Sequence, residues 1–451
     1  MSSLADRIRA VVGTPGSLKP QAASLEPQPA SPQSPAPTSA RDDDSLRALG
    51  GEWRATPYVV ERRFAPAVRH GREAIGTFAE CLDAASSQAT FYAGGAPART
   101  PFVFFDLETT GLSGGAGTQV FLVGCGSFDA DASFVTRQFL LTRYAEERPM
   151  LDAVADELAR AGALVSFNGK SFDAPVLETR YLFHRLSSSF RELPHVDVLH
   201  PARRFWKARV GSPEGLHYDS ASQVAQPFRA AAADTCSLIA LEKQLLGVRR
   251  HGDVPGFEIP GRYFQFVRSG DPRPLAAVLE HNRLDLLTLA ALTARLFHVT
   301  LHGPDAARDA REALALGHVY MRADLVSRAS DAYARAVEMT ERGIVSQAVR
   351  IESLRALALT HRRARQYAAA AACWRRLLAT PGCPPLVARE ATGALAVHHE
   401  HRDRDLEAAK AFALQSLEVD AQPAWTRAVQ HRLARLDRKL KLNGQPGSLL
   451  S

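Results

Sequence analysis

Residues 102–112 read FVFFDLETTGL. Side chains alternate across a strand, so Asp106 and Glu108 share one face with Phe102 and Phe104, while Val103, Phe105 and Leu107 take the other. A run that is apolar on both faces belongs inside a sheet. This one ends in two carboxylates on one side, followed by Thr109, Thr110 and Gly111. Two acids held close together repel, and one protonates unless a cation stands by them. Hard carboxylate oxygens suit Mg²⁺ or Mn²⁺. A plainer reading of the same D-x-E is a pair of solvated acids at a strand end.

Working outward, residues 120–128 and 133–141 are strand-like and are joined to 102–108 and to each other by Gly-rich or Asp-Ala turns. The spacing predicts a three-stranded antiparallel meander. Helical periodicity follows over 146–160, a short apolar strand over 163–167, a helix over 174–186 and a strand over 195–199. Helices are predicted at 235–246 and 274–297. A meander followed by alternating strand and helix predicts an α/β domain over 101–298: a mixed sheet, antiparallel first and parallel later, with helices on both faces.

From residue 304 to 441 the chain reads as all-helical and repetitive. Gly317, Ala358 and Ala396 recur at offsets of 41 and 38, somewhat longer than a tetratricopeptide period of about 34 residues. Aromatic and small residues recur with them: Tyr320, Ala329 and Tyr333, then His361, Ala370 and Trp374, then His399, Ala408 and Phe412. A tetratricopeptide-like repeat domain, a docking surface for a partner protein, is expected, with a generic alanine-rich bundle as the alternative. Seven prolines between residues 15 and 37 predict a disordered tether over 1–45. Residues 46–100 read as a lead-in packing on the α/β domain, and 442–451 as a flexible tail.

Composition is that of a globular protein, with 46% hydrophobic and 23% charged residues. No apolar run of membrane-spanning length stands out, and charges interrupt the opening MSSLADRIRAVVG, so no membrane association or secretion is expected. Five scattered cysteines without paired spacing read as reduced thiols in a cytoplasmic protein. A net charge of +7 permits an anionic partner such as nucleic acid.

Two further stretches carry acids. Residues 168–177 read NGKSFDAPVL, with Asp173 at a helix entrance, where it also reads as an N-cap. Residues 280–287 read EHNRLDLL, with His281 and Asp285 on one helical face, where they also read as a surface pair. D-x-E on the first strand, N-x₄-D after a later strand and H-x₃-D on a late helix resemble the three motifs of the DEDD (DnaQ-like) 3′–5′ exonucleases. The second motif is similar to that of the proofreading domain of family-B DNA polymerases. GLSGGAGTQVFLVG (111–124), CSLIALEKQLLG (236–247) and IPGRYFQFVRSGD (259–271) resemble the YprB group of predicted ribonuclease-H-like exonucleases.

That resemblance implies a ribonuclease-H-like fold and hydrolysis at single-stranded 3′ ends, with DNA and RNA both open as substrates. It implies that Asp106, Glu108, Asp173 and Asp285 hold two Mg²⁺ or Mn²⁺ ions, with His281 as proton acceptor. His281 stands four residues before Asp285, the spacing of the tyrosine subclass rather than that of the histidine subclass. A catalytically inert nucleic-acid binder or scaffold on the same fold is the other reading. Candidate nucleic-acid contacts are Thr109, Asn168 and Lys170 beside the acids, and Arg203, Arg204 and Trp206 in a basic, aromatic stretch that also includes Phe205, Lys207 and Arg209. This stretch reads equally as an amphipathic helix docking its aromatics on the core. The glycine-rich 111–118 lies between strands and lacks the helix N-terminus of a phosphate loop.

Overall fold

A computed structural model describes residues 43–54, 56–111, 117–187, 189–207, 236–342, 346–417 and 423–443. The predicted tether (apart from residues 43–45), the tail beyond 443, Arg209 and most of the 111–118 loop lie outside the described residues.

The strand at 102–109 lies inside a sheet, with a neighbour on each side. In chain order the strands are β1 (Glu52–Trp53), β2 (Tyr58–Phe64), β3 (Arg69–His70), β4 (Glu73–Ala74), β5 (Phe102–Thr109), β6 (Val120–Phe128), β7 (Phe134–Leu140), β8 (Ala163–Ser166) and β9 (His195–Asp197). Seven of them form one sheet in the order β1-β2-β7-β6-β5-β8-β9, with β3 and β4 paired separately. The meander β5-β6-β7 is antiparallel, and β8 and β9 add in parallel on the far side of β5. The sheet is therefore mixed, as the alternation predicts. Strand β2, in the stretch read as a lead-in, pairs with β7 along its whole length and extends the same sheet. Only Tyr58, Val59 and Val60 are buried there, and ERRF completes the strand, so the apolar signal in sequence is short.

Both faces of β5 are covered, by different helices. Phe102 and Phe104 pack in one cluster with α1 (Ile75–Ala84). Val103, Phe105 and Leu107 pack in a second with α2 (Glu147–Leu158) and α3 (Asp173–Phe183). Helix α4 (Leu199–Phe205) follows β9, and α5 (Ile259–Ser269) joins the second cluster through Tyr263, stacked on Phe121 at 4.1 Å between centroids. The predicted 235–246 helix is shorter than expected, a single turn from Leu238 to Leu241 running into a π-turn over Glu242–Leu246.

The thirty-residue helix α6 (Arg273–His302) spans both clusters. By length and composition it would suffice to cross a membrane, which the sequence reading did not register. Its apolar surface is instead core: buried residues from Leu286 to Val299 lie in one apolar cluster with residues of the sheet and of the C-terminal helices. Those helices are α7 (Ala310–Arg322), α8 (Val326–Arg342), α9 (Gln347–Arg363), α10 (Tyr367–Leu378), α11 (Pro385–His398), α12 (Leu406–Gln415) and α13 (Pro423–Asn443). Each packs on the next, and the all-helical region fits a repeat reading. The recurring small residues have a steric cause. A Cβ on Gly317 would stand 2.3 Å from the Tyr333 ring, so α7 and α8 approach as closely as they do only with glycine there.

Gly317→Ala is therefore expected to cost about 1–3 kcal/mol through overpacking. Gly261, in α5, faces open space, so Gly261→Ala should be neutral or stabilise by up to about 1 kcal/mol. Denaturant melts of the two variants give the comparison; equal shifts would refute the steric account.

Candidate functional site

Parity sends Asp106 and Glu108 to the same face as Phe104, the face that α6 crosses. The fully buried Asn282 of α6 meets them there. Its Nδ2 donates to Asp106 Oδ2 at 2.9 Å, and its Oδ1 accepts from Gln138 Nε2 at 2.9 Å. Directly opposite Asp106 on β6 stands Gly124. A Cβ on Gly124 would fall 2.1 Å from Asn282 Oδ1, so this glycine opens the socket in which Asn282 sits. The sequence reading assigned no role to Asn282, Gln138 or Gly124.

Asp173 is the first residue of α3, with Phe172 rather than Asp173 at the N-cap position. The turn before it is held from below. Asp197, at the end of β9, accepts the backbone N–H of Asn168 at 2.9 Å, of Lys170 at 3.2 Å and of Leu199 at 3.1 Å. Asn168 takes a left-handed φ of 70°, which asparagine tolerates. A Cβ on Gly169 would come within 3.0 Å of Asp173 Oδ2 and closer still to Ser166. Asp197 thus builds the turn that presents Asp173.

Asp285 lies one helical turn after His281, with His281 Nε2 to Asp285 Oδ2 at 3.5 Å. Two residues from the segment between the π-turn and α5 complete this corner. Arg250, its side chain 3% exposed, pairs with Glu242 at 2.7 Å, Asp253 at 3.3 Å and Asp285 at 2.6 Å. Asp253 Oδ1 accepts from His281 Nδ1 at 2.7 Å. Neither Arg250 nor Asp253 was singled out in sequence. They sit in an aperiodic connection whose partners are distant in the chain.

The electrostatics follow from this crowding. Burial, then the charges of Asp285, Glu108 and Asp173, raise the Asp106 carboxyl well above its ordinary value, against the Asn282 hydrogen bond. Burial, Asp285, Asp173 and Asp253 do the same to Glu108. Burial and Asp197 push Asp173 up to about 7. Burial would also raise Asp253, but its hydrogen bond with His281 and the charges of His281 and Arg250 hold it below the usual range. Asp106, Glu108, Asp173 and Asp285 therefore share one field. Among the described residues, however, no three His, Cys, Asp or Glu side chains form a ready-made coordination shell. The donor set, the hard carboxylates of Asp106, Glu108, Asp173 and Asp285, with the last three all raising Asp106, fits a divalent cation in its chemistry.

The candidate nucleic-acid contacts divide. Asn168 and Lys170 are exposed beside Asp173. Thr109 is buried and its hydroxyl donates to Gly111 O at 2.9 Å, so it shapes the loop rather than facing outward. Arg203 and Arg204 are exposed on α4. Trp206 corrects the stacking expectation. It is 3% exposed, and its Nε1 donates to the buried Glu312 of α7 at 2.9 Å. With Phe205 also buried, these aromatics join the sheet domain to the helical region, because an indole ring next to an apolar core gains more by burial than by waiting for a base.

Residues 103–297 match a family model of the RNase H superfamily. The fold agrees with that class, and the domain is of the nuclease type. The chain is 31% identical over 340 residues, 74% of each chain, to the uncharacterized protein YprB of Bacillus subtilis (strain 168). It belongs to the YprB family.

A carboxyl that titrates near 7 when folded, against about 3.8 when unfolded, contributes stability that is full below pH 3.8 and is lost as pH rises through 7. In chelator, the melting temperature should thus fall between about pH 4 and 7, and Asp173→Asn should flatten that slope. Parallel slopes for the two proteins would count against the crowding described above.

Proposed function

We propose that this protein is a divalent-metal-dependent 3′–5′ exonuclease acting on single-stranded nucleic acid, with a helical-repeat region that recruits a partner protein. The observation that carries this is the gathering of the half-buried Asp106 and Glu108 and the buried Asp173 in one field, each raised by desolvation and by neighbouring carboxylates. Such an arrangement is costly on its own and is relieved by bound cations. Asp106, Glu108, Asp173 and Asp285 would hold two Mg²⁺ or Mn²⁺ ions. These supply Lewis-acid stabilisation of the charge that develops on a scissile phosphate.

The chain's own residues do the rest. Asn282 fixes the Asp106 carboxylate, and Asp197 fixes the turn that carries Asp173. His281, within the same corner as Asp285, accepts the proton of the attacking water. Lys170 and Asn168, exposed at the rim, contact the phosphate chain. Polarity and the preference for single strands come from the resemblance of the three motifs to DEDD exonucleases.

One observation favours the second reading, an inert nucleic-acid binder or scaffold. Arg250 already neutralises Asp285 at 2.6 Å without any ion.

The test is product analysis on 5′- and 3′-labelled DNA and RNA oligonucleotides with Mg²⁺ or Mn²⁺. Wild-type protein is expected to shorten chains from the 3′ end, and Asp106→Ala or Asp285→Ala to lower the rate by at least about 10²-fold without loss of fold. Gel shift without turnover, under either metal, would decide for the inert reading.

A further inference from the structure

The imidazole of His281 is held by a residue outside the four-acid set. Its Nδ1 lies 2.7 Å from Asp253 Oδ1 and its Nε2 lies 3.5 Å from Asp285 Oδ2. Arg250 bridges the same two carboxylates from the other side, at 3.3 Å and 2.6 Å. Asp253, Arg250, Asp285 and His281 thus close a ring of alternating charge and hydrogen-bonding character. Asp253 is fixed once more, since its Oδ1 accepts the Val254 backbone N–H at 2.9 Å, and Arg250 is itself clamped by the buried Glu242 at 2.7 Å.

An ionised carboxylate can only accept, so the short contact places the proton on His281 Nδ1. In the neutral ring the nitrogen left with a lone pair is then Nε2, the one that faces Asp285 and the acidic corner. A histidine on a helix without such a partner could flip about χ2, putting ring carbons where its nitrogens stood, and could carry its proton on either nitrogen. The ring here is 9% exposed at its side chain and tied at one nitrogen, so both its tautomer and its direction are set from outside the helix.

We propose that Asp253 is a positioning residue of this site, fixing His281 as the Nδ1–H tautomer with Nε2 directed at the acidic corner, and that Arg250 holds Asp253 in that role. The tautomer and orientation follow from the contacts alone. The consequence for turnover rests on the nuclease reading given above.

The experiment separates the two. Full-length protein labelled with ¹⁵N-histidine is examined in chelator by long-range ¹H–¹⁵N correlation, with His281→Asn identifying the His281 signals. Wild type should show His281 as the Nδ1–H form. Asp253→Ala should convert it to a mixture in which the Nε2–H form is prominent, while Asp253→Asn, whose carboxamide oxygen can still accept from Nδ1, should preserve it. If Asp253→Ala does not fold, Asp253→Ser carries the same readout. In oligonucleotide digestion, Asp253→Ala should lower kcat by about 10–100-fold with KM little changed. Combined with His281→Ala it should cost nothing beyond His281→Ala alone. An unchanged His281 tautomer in Asp253→Ala, or losses that multiply in the double variant, would overturn the assignment. A wild type without nuclease activity would remove the function proposed above, yet leave the spectroscopic result to decide the role of Asp253.

Discussion

The structure is organised around the repulsion of carboxylates gathered at the end of a buried strand. Like charges held near one another inside a fold weaken it, and the total stability of a folded domain is only about 5–15 kcal/mol. Four such groups in one corner are therefore a burden that the surroundings must offset. Two contacts do so in part: Asn282 donates to Asp106 and Arg250 pairs with Asp285, whereas the backbone N–H groups of Asn168 and Lys170 go to Asp197 rather than to Asp173. What is left uncompensated is the set Asp106, Glu108 and Asp173, whose carboxyls are all displaced upward.

The topology that makes this corner also explains the length of α6. Motifs from β5, from the turn before α3 and from α6 converge only if the late helix crosses the face of the sheet to which β5 sends Asp106. Having crossed it, α6 continues for more than a dozen residues and serves as the floor for the C-terminal helices. Leu289, Leu292 and Leu296 lie in the same apolar cluster as Phe104 and as Leu316, Tyr333 and Trp374. Around Glu312 the junction is polar but satisfied, since Trp206, Arg295 and the Arg308 backbone all donate to its carboxylate. One helix thus supplies Asp285 to the site and apolar surface to the repeats.

What could be read from the sequence was what repeats or alternates. Short continuous apolar runs marked β5 and β6, helical spacing marked α2 and the C-terminal pairs, and strand parity put Asp106 and Glu108 on one face. The contributions of β2, Arg250 and Asp253 were not legible. Each depends on a partner far along the chain: β2 on β7, Arg250 on Asp285, Asp253 on His281. Gly124 had a local signal, a glycine inside a strand, which often marks the close approach of another group. Only the structure shows that the group is Asn282. Trp206 was misread because basic residues flanking an aromatic describe a nucleic-acid surface and an amphipathic docking helix equally well. Burial decided between them.

The position of His281 is where these threads meet. Moved by one residue, a helical side chain turns by about 100°, so a histidine four residues before Asp285 cannot simply substitute for one five before it. At four residues the two side chains lie on the same face, and Nε2 comes within 3.5 Å of Asp285. That geometry alone would leave the ring free to turn. The connection ahead of α5 removes this freedom by bringing Asp253 to Nδ1 and Arg250 behind it, and Glu242 in the preceding π-turn braces Arg250 in turn. The residue spacing on α6 and the loop that packs over it are thus two halves of one arrangement, and a histidine at this spacing is held in a single orientation only because that loop supplies the carboxylate.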